Sequence, residues 1–299
     1  MTLSIIIVNW NVKPLLERCL SSIRAYGKGL SYEIFVVDNA SRNGSQEYLK
    51  GIARTRKNFR IILNKENFGF ARANNQAISK VQGEFILFLN PDTEIYPGTL
   101  QKMVNFLQAH EDCGIVGAQL IGVDGRIQPS VRNFPTLGSQ VMIFLKLHYL
   151  FPHVRCLKNY FLYNFDYISQ QKVDQVMGAC LLTRREVLDE IGPLDENFYL
   201  WFEEVDFCKR VKDADWEVVY LPGARIFHHG AQSFRQLISL CKQKIYNASA
   251  IYYFKKHFGP AKARVLAVLN PLSLFLAYLA QIARPRTLTR FETRLNQPR

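Results

Sequence analysis

The N-terminal third of the chain alternates between two hydrophobic periods, and that alternation restricts it to one class of fold. Short runs rich in branched residues, Ser4–Val8, Glu33–Val37, Phe59–Leu63 and Glu84–Leu89, are largely apolar, as strands covered on both faces of a sheet must be. Between them, Lys13–Tyr26, Ser45–Arg54, Ala71–Ser79 and Pro97–Ala109 read as helices. Asn43 and Ser45 suit the start of the second helix, and Pro97 the first turn of the fourth. Strands alternating with helices imply right-handed βαβ units, hence an α/β fold with a mainly parallel central sheet flanked by helices. Ligands of such sheets sit at the carboxyl ends of the strands. The residues that follow each run are therefore where chemistry is expected.

Beyond a further strand at Gly114–Leu120 the rhythm changes. Val123-Asp124-Gly125-Arg126 signals a hairpin, with Asp-Gly expected to supply the positive φ values of a type I′ turn. Residues 134–172 are aromatic-rich and irregular, and within them Val141–Phe151 is apolar apart from Lys146 and His148. A strand at Val173–Thr183, a helix at Arg184–Glu190, an acidic helix start at Glu203–Val211, a strand at Trp216–Leu221 and a long amphipathic helix at Phe234–Phe258 complete the expected order.

Charge is distributed unevenly. Of a net +13, nearly all lies at the end: from Val218 onward thirteen Lys and Arg stand against one acid, Glu292. Such an end can meet nucleic acid, anionic lipid or a phosphorylated substrate. A nucleic-acid interface would interleave its basic residues with exposed aromatics, whereas here Lys262, Arg264, Arg284 and Arg286 flank an uncharged apolar run, residues 265–283. That run approaches the roughly 20 residues needed to cross a bilayer, and positive flanks are attracted to anionic headgroups. Asn270-Pro271 near its start weakens a spanning helix; spanning, re-entrant and interfacial placements stay open, as does a buried C-terminal helix. Cys19, Cys113, Cys156, Cys180, Cys208 and Cys241 form no CxxC pair, a usage expected of a reducing cytosol rather than a disulfide scaffold or zinc cluster. No signal peptide is expected, because Met1–Ser4 runs without a basic region into the first strand.

Four clusters carry candidate chemistry. Asn90-Pro91-Asp92 follows a buried strand; a carboxylate there can hold a hard divalent cation that bridges diphosphate oxygens, although the same residues would serve as a turn and helix cap. Glu203, Glu204 and Asp206 lie within four residues, among Phe198, Tyr199, Trp201, Phe202 and Phe207. A solvated helix start looks similar, but an aromatic setting raises a carboxylate's pKa and fits it to take a proton from a hydroxyl. His228-His229 ends a strand, and adjacent side chains point apart, so at most one reaches a metal. Asp38 at the end of another strand can accept from a pyrimidine N3–H, Arg72 can pair with a diphosphate, and Gly69 permits close approach of a ligand.

Jointly and in order, SIIIVNWN, VVDNAS, NxGFAxAxN, FLNPD, MGACLLTRRE, FEEVDFCKR and FHHG resemble the family 2 glycosyltransferases, most closely the bacterial rhamnosyltransferase-like branch, over about residues 1–258. The resemblance implies a GT-A fold: a catalytic domain at 1–233, with a nucleotide-binding half (1–120) and an acceptor-binding half (121–233), followed by a basic, membrane-associating extension at 234–299. It also implies roles. Val8, Asn9 and Trp10 would floor the nucleotide pocket, Asp38 would bind the base, and Asn67 and Arg72 would belong to the donor site, Arg72 near the diphosphate. Asn90-Pro91-Asp92 takes the DxD position with Asn replacing the first Asp, which leaves Asp92 as main metal ligand, with His228 (His229 second) beside it. Gly178 and Ala179 would line the cleft. Glu204 would be the general base, with Glu203 as acceptor-binding acid and rival base, and Trp201 and Asp206 would contact the acceptor. The implied activity is an inverting, Mg²⁺- or Mn²⁺-dependent transfer of a sugar, rhamnose for this branch, from a UDP- or dTDP-sugar. The acceptor would be a glycan or a polyprenyl-diphosphate-linked sugar at the cytoplasmic face of the cell membrane, with no role for nucleic acid. A sugar nucleotidyltransferase would share the core but needs a Gly-rich phosphate loop after the first strand, where this chain has Val8-Asn9-Trp10-Asn11-Val12-Lys13.

Overall fold

The computed structural model describes residues 1–230 and 239–282. Its N-terminal part follows the expected alternation: β1 (Leu3–Asn9), α1 (Lys13–Tyr26), β2 (Tyr32–Asp38), α2 (Ser45–Thr55), β3 (Phe59–Leu63), α3 (Phe70–Ile78) and β4 (Phe85–Leu89). A short β5 (Thr93–Ile95), α4 (Thr99–Ala109) and β6 (Cys113–Ile121) come next. Then an irregular excursion holds β7 (Val131–Arg132), α5 (Leu137–Phe144), α6 (Arg155–Phe161), β8 (Gln171–Lys172) and β9 (Gln175–Val176). The chain returns through β10 (Cys180–Arg184), α7 (Arg185–Ile191), α8 (Glu203–Asp213) and β11 (Glu217–His228), and ends in α9 (Ser239–Phe258) and α10 (Pro260–Ile282).

The main sheet has the order β3-β2-β1-β4-β10-β6-β11-β5, with β8 on β11. The first four strands are mutually parallel, as are β6 and β11, while β10 runs antiparallel between β4 and β6. Strand order reverses between β1 and β4, so a crevice opens beyond their carboxyl ends, the position where open α/β sheets bind ligands. Two layers of core cover the faces. Leu3, Ile5 and Ile7 pack with Leu16, Leu49 and Met103 from α1, α2 and α4, and Ile6 packs with Ala73, Leu188 and Phe207 from α3, α7 and α8. β10 and β11 lie in the same sheet as β1–β4, so strands from early and late in the chain build one layer.

Several local expectations are corrected. The 123–126 hairpin forms, with Gly122 N–H donating to Arg126 O, but only Gly125 takes a positive φ (76°); the turn is not type I′. The strand expected at 173–183 splits into β9 and β10, since Met177-Gly178-Ala179 leaves the sheet. Conversely, β11 continues past Pro222-Gly223 to His228 by shifting register between Leu221 and Arg225, which is how a sheet absorbs a proline. Helix α4 starts two residues after Pro97, following Gly98 at φ 76°. Of the helix expected at 234–258, residues 234–238 lie outside the described residues.

A third core joins the C-terminal helices to the segment before α8. Phe198, Phe202 and Val205 pack with Phe144 of α5, Ala250, Tyr253 and Phe254 of α9, and Ala263 and Leu266 of α10. Wholly buried Asp206 anchors the same junction. Its Oδ2 accepts from Arg210 Nε (2.9 Å), and its Oδ1 meets His257 Nε2 and Lys256 Nζ, both at 2.7 Å. Burial by itself would raise the Asp206 pKa, but hydrogen bonds from His257, Lys256 and Arg210 outweigh it and hold the carboxyl below its ordinary range. Ser249 of α9 donates to Leu200 O (2.8 Å). Helix α10 continues through Pro271, packing Leu266, Ser273 and Ala277 inward.

Candidate active site

The nucleotide end begins where β1 and β2 stop side by side, with Asn9 opposite Asp38. Asp38 is sealed rather than open. Its carboxylate accepts from Asn9 Nδ2 (2.7 Å), Ser41 N–H (2.8 Å) and Gln46 Nε2 (3.0 Å), whereas buried Asn9 Oδ1 has no hydrogen-bond partner among the described residues. A buried acceptor left unsatisfied costs free energy until a donor fills it, so the Asn9–Asp38 pair presents one unmet acceptor site at the strand ends. Val8 and Trp10 flank it, both partly exposed. Beside them Asn64 Nδ2 donates to Asn39 Oδ1 (2.8 Å) and Gln76 Oε1 (2.9 Å), and Asn39 Nδ2 donates to Gly69 O (3.0 Å). Asn67 accepts from Gly69 N–H (3.0 Å) and so shapes this loop. What approaches Gly69 is the protein itself. At φ 81°, a Cβ there would collide with the Tyr199 carbonyl oxygen, which also accepts the Phe70 N–H at 3.0 Å. Arg72 lies over the Phe68 ring (4.2 Å) with Glu196 3.9 Å away.

At the end of β4, Asn90 N–H donates to Ala179 O (3.0 Å) and Asn90 O accepts from Thr93 Oγ1 (2.7 Å). Asp92 and His228 come together from β4 and β11, with Oδ1 3.6 Å from Nε2. Gln128 sets the imidazole. Its Nε2 donates to His228 O (3.0 Å), so its Oε1 is the atom that meets His228 Nδ1 at 2.7 Å. Nδ1 therefore carries the proton and Nε2 turns its lone pair towards Asp92. Burial, and more weakly His229, lower the His228 pKa against the pull of Asp92; the neutral imidazole that results is the form that binds metal. His229 turns away to Glu94 (2.9 Å), which separates the two histidines. An oxygen and an imidazole nitrogen at this separation, with a neutral partner behind the ring, fit one divalent cation. Among the described residues no group of three or more His, Cys, Asp or Glu side chains forms a full ligand set, so such a cation would draw further ligands from diphosphate oxygens and water.

The carboxylates sit across the crevice. Trp201 and Phe202, at φ 63° and 69°, are consecutive left-handed residues, each costing roughly 1–2 kcal/mol. They turn the chain so that α8 opens with Glu203 and Glu204, while Phe202 drops into the third core, a burial of comparable size at about 1.5–3 kcal/mol. Glu203 is buried and Glu204 partly exposed, and each has an Oε2 without a partner among the described residues. Burial pushes the Glu203 pKa well up, and the charge of Glu204 adds to it. Burial also raises Glu204, partly offset by backbone N–H groups and by Arg132. Gly178 faces Glu204: a Cβ there would lie 3.4 Å from the Glu204 Cβ. The bulged segment therefore links both walls, with Ala179 on Asn90 and Gly178 on Glu204. Asp206, expected at the acceptor, is instead enclosed by Arg210, Lys256 and His257; two positions from Glu204 on the helix, it points away from that residue and meets the C-terminal helices.

Two contributors escaped the sequence reading. Gln128 was hidden behind the hairpin signal, which ended attention at Arg126; only the pairing of residues 127–128 back onto β6 brings it under His228. Arg132 stands over the Tyr160 and Phe161 rings (5.7 and 5.2 Å), and nothing local distinguishes it from other arginines. A carboxyl whose folded pKa is raised favours folding fully below its ordinary value of 4.5 and loses that contribution as pH climbs through the raised value. Glu203→Gln is therefore expected to melt above wild type at pH 8, by roughly 2–4 °C per kcal/mol relieved, with the gap closing near pH 4. Thermal unfolding across pH measures it, and a gap that does not narrow with acidity would contradict the buried pair.

Comparison with known proteins identifies the family and the fold. The model of the family described as "Glycosyl transferase family 2" matches residues 4–192. A curated relative, the N-acetylglucosaminyl-diphospho-decaprenol L-rhamnosyltransferase of Mycobacterium tuberculosis, is 26% identical over 242 residues, covering 77% of each chain. Among solved structures, the S. aureus TarS 1-349 complex with UDP-GlcNAc aligns with a TM-score of 0.56 at 16% identity, over 89% of this chain and 70% of that one. The mannosyltransferase PcManGT from Pyrobaculum calidifontis, with GDP-Man and Mn²⁺, gives 0.56 at 16% identity over 97% and 78%. At that identity the structures establish the GT-A fold. The chain belongs to glycosyl transferase family 2, is rhamnosyltransferase-like within it, and is a glycosyltransferase.

Proposed function

We propose that this enzyme transfers rhamnose from a UDP- or dTDP-sugar to a hydroxyl of a polyprenyl-diphosphate-linked sugar, with inversion, in cell-surface polysaccharide synthesis. The observation that carries the chemistry is the placement of Glu204, partly exposed at the start of α8 and facing Gly178, in the segment whose Ala179 bonds Asn90 beside the Asp92–His228 pair; burial raises its pKa. The rhamnose and the lipid-linked acceptor rest on the M. tuberculosis relative, whose name states both.

At the donor end, the Asn9–Asp38 pair offers an acceptor to the imide N–H that uracil and thymine share, between Val8 and Trp10. Asn67 shapes the adjoining loop, and Arg72 stands at its edge. Asp92 and His228 would hold Mg²⁺ or Mn²⁺, with Asn90 beside them; bound there, the cation would neutralise charge gathering on the departing nucleotide diphosphate. Gly178 and Ala179 leave room for the donor sugar. Glu204 takes the proton of the acceptor hydroxyl as its oxygen attacks the anomeric carbon, and one displacement inverts that centre. The partly exposed position of Glu204 favours it over enclosed Glu203, whose unpartnered oxygen suits a hydrogen bond to the acceptor. Trp201 supplies the adjoining apolar wall. Glu204→Gln is expected to lower kcat by about 10²–10⁴-fold while nucleotide-sugar binding stays near wild type. Transfer at close to the wild-type rate would remove Glu204 from this role.

The exposed apolar side of α10 and its basic flanks support placing this chemistry at the cytoplasmic face of a membrane. One side of α10 is packed on the protein, so α10 lies on the bilayer surface and does not cross it alone. Its other side exposes Val265, Val268, Leu272, Phe275, Leu279 and Ile282, with Val268 73% exposed. These positions recur every three or four residues, one stripe of a helix. Lys262 and Arg264 precede it, and Arg284 and Arg286 follow in the sequence. Val268→Glu with Phe275→Glu is expected to reduce co-sedimentation with phosphatidylglycerol liposomes on the order of tenfold or more. Unchanged sedimentation would contradict a membrane-facing α10.

A further inference from the structure

Behind Trp201, between α5, α9 and α10, lies a cavity of about 500 Å³, within the range of small-molecule sites. Its walls are apolar, from Ile143, Leu276 and Ala280, yet Lys146 and Lys242 also line it, and no carboxylate does among the described residues. Lys146 is the unusual member. It ends α5 in the left-handed conformation, φ 59°, where a non-glycine residue costs roughly 1–2 kcal/mol. Its half-buried ammonium donates to the neutral carboxamide of Gln243, and burial lowers its pKa with no acid opposing that shift. A strained backbone thus holds the Lys146 cation in an apolar space with no anion beside it among the described residues, an arrangement that an anionic ligand would compensate.

The cavity has two distinct ends. Trp201 and Tyr246 close the inner one, their rings 6.1 Å apart. Trp201 adjoins Phe202-Glu203-Glu204 in the chain, and the Phe202 ring lies 5.4 Å from that of Tyr246. At the outer end Tyr149 and Ala280 meet a rim where Tyr149, Leu150 and Ile282 are exposed, continuous with the stripe of α10. The inner end thus adjoins the proposed base and the outer end adjoins the proposed lipid surface, with two lysines between.

We propose that this cavity seats the diphosphate and first isoprenoid units of the prenyl-diphosphate-linked acceptor, with Lys146 and Lys242 facing the diphosphate and the chain leaving past Tyr149 and Ala280. This deepens the acceptor reading above and rests on it. Farnesyl diphosphate carries both recognised features without a sugar, so calorimetric titration of the full chain with it reads the cavity alone. It is expected to bind at least tenfold more tightly than inorganic diphosphate or farnesol. Lys146→Met combined with Lys242→Met, which keeps the side-chain length, should weaken it at least tenfold and leave UDP or dTDP binding unchanged. Ala280→Trp, at an exposed position that narrows the outlet, should weaken it similarly. Equal binding of inorganic diphosphate, wild-type affinity in the double lysine variant, or equal competition by phosphatidylglycerol in detergent micelles would each overturn the assignment. Turnover of a lipid-linked acceptor by wild type is scored separately, and its absence would overturn the acceptor reading itself.

Discussion

Two adjacent glutamates at the start of α8, one buried and one partly exposed, with no ion pair among the described residues, set the terms for the surrounding structure. Burial and mutual repulsion both oppose their ionisation, and a helix N-terminus offsets only part of that. The fold answers with apolar packing. Left-handed Trp201 and Phe202 commit the chain to this turn, and Phe202 and Val205 join a core completed by α5, α9 and α10. Asp206, immediately beyond, gathers Arg210, Lys256 and His257, so its charge is neutralised on the side facing away from the crevice. A low local dielectric around Glu204 follows, and with it the raised pKa that suits a base.

The opposite wall is made by the main sheet. Reversal of strand order between β1 and β4 brings Asn9, Asp38 and Asp92 to one edge, and β11 delivers His228 by continuing beyond a proline. Met177-Gly178-Ala179 spans the two walls. Its departure from the sheet lets Ala179 bond Asn90 and Gly178 admit Glu204. A continuous strand there would turn alternate side chains into the crevice; the bulged segment presents backbone and hydrogen instead.

Most of the site was readable because a parallel sheet places strand ends together whatever the rest of the chain does. Asn9, Asp38, Asn90, Asp92 and His228 each follow a recognisable apolar run, and topology alone assembles them. What sequence reading missed depends on contacts between distant segments. Gln128 acquires its function only when the hairpin folds back on β6. Arg132 matters only beside α8. Asp206 shares the acidic cluster of Glu203 and Glu204, yet it lies two positions, roughly 200° of helix, from Glu204 and meets His257 and Lys256, some fifty positions later. Gly69 was expected to admit a ligand, but the approaching atom is the Tyr199 carbonyl. Similarly, hydropathy identified the apolar run at 265–283 without revealing that one side of it is buried on the protein.

Transfer by direct displacement, between a diphosphate held at Asp92–His228 and a hydroxyl facing Glu204, is tested most directly by the stereochemistry and metal dependence of one turnover. Purified enzyme would be given dTDP-β-L-rhamnose and a prenyl-diphosphate-linked N-acetylglucosamine, with the product's anomeric configuration read by NMR, with and without chelator. Formation of the α-linked rhamnoside, abolished by chelation and restored by Mn²⁺ or Mg²⁺, is the expected result. A β-linked product, or undiminished turnover in excess chelator, would contradict it.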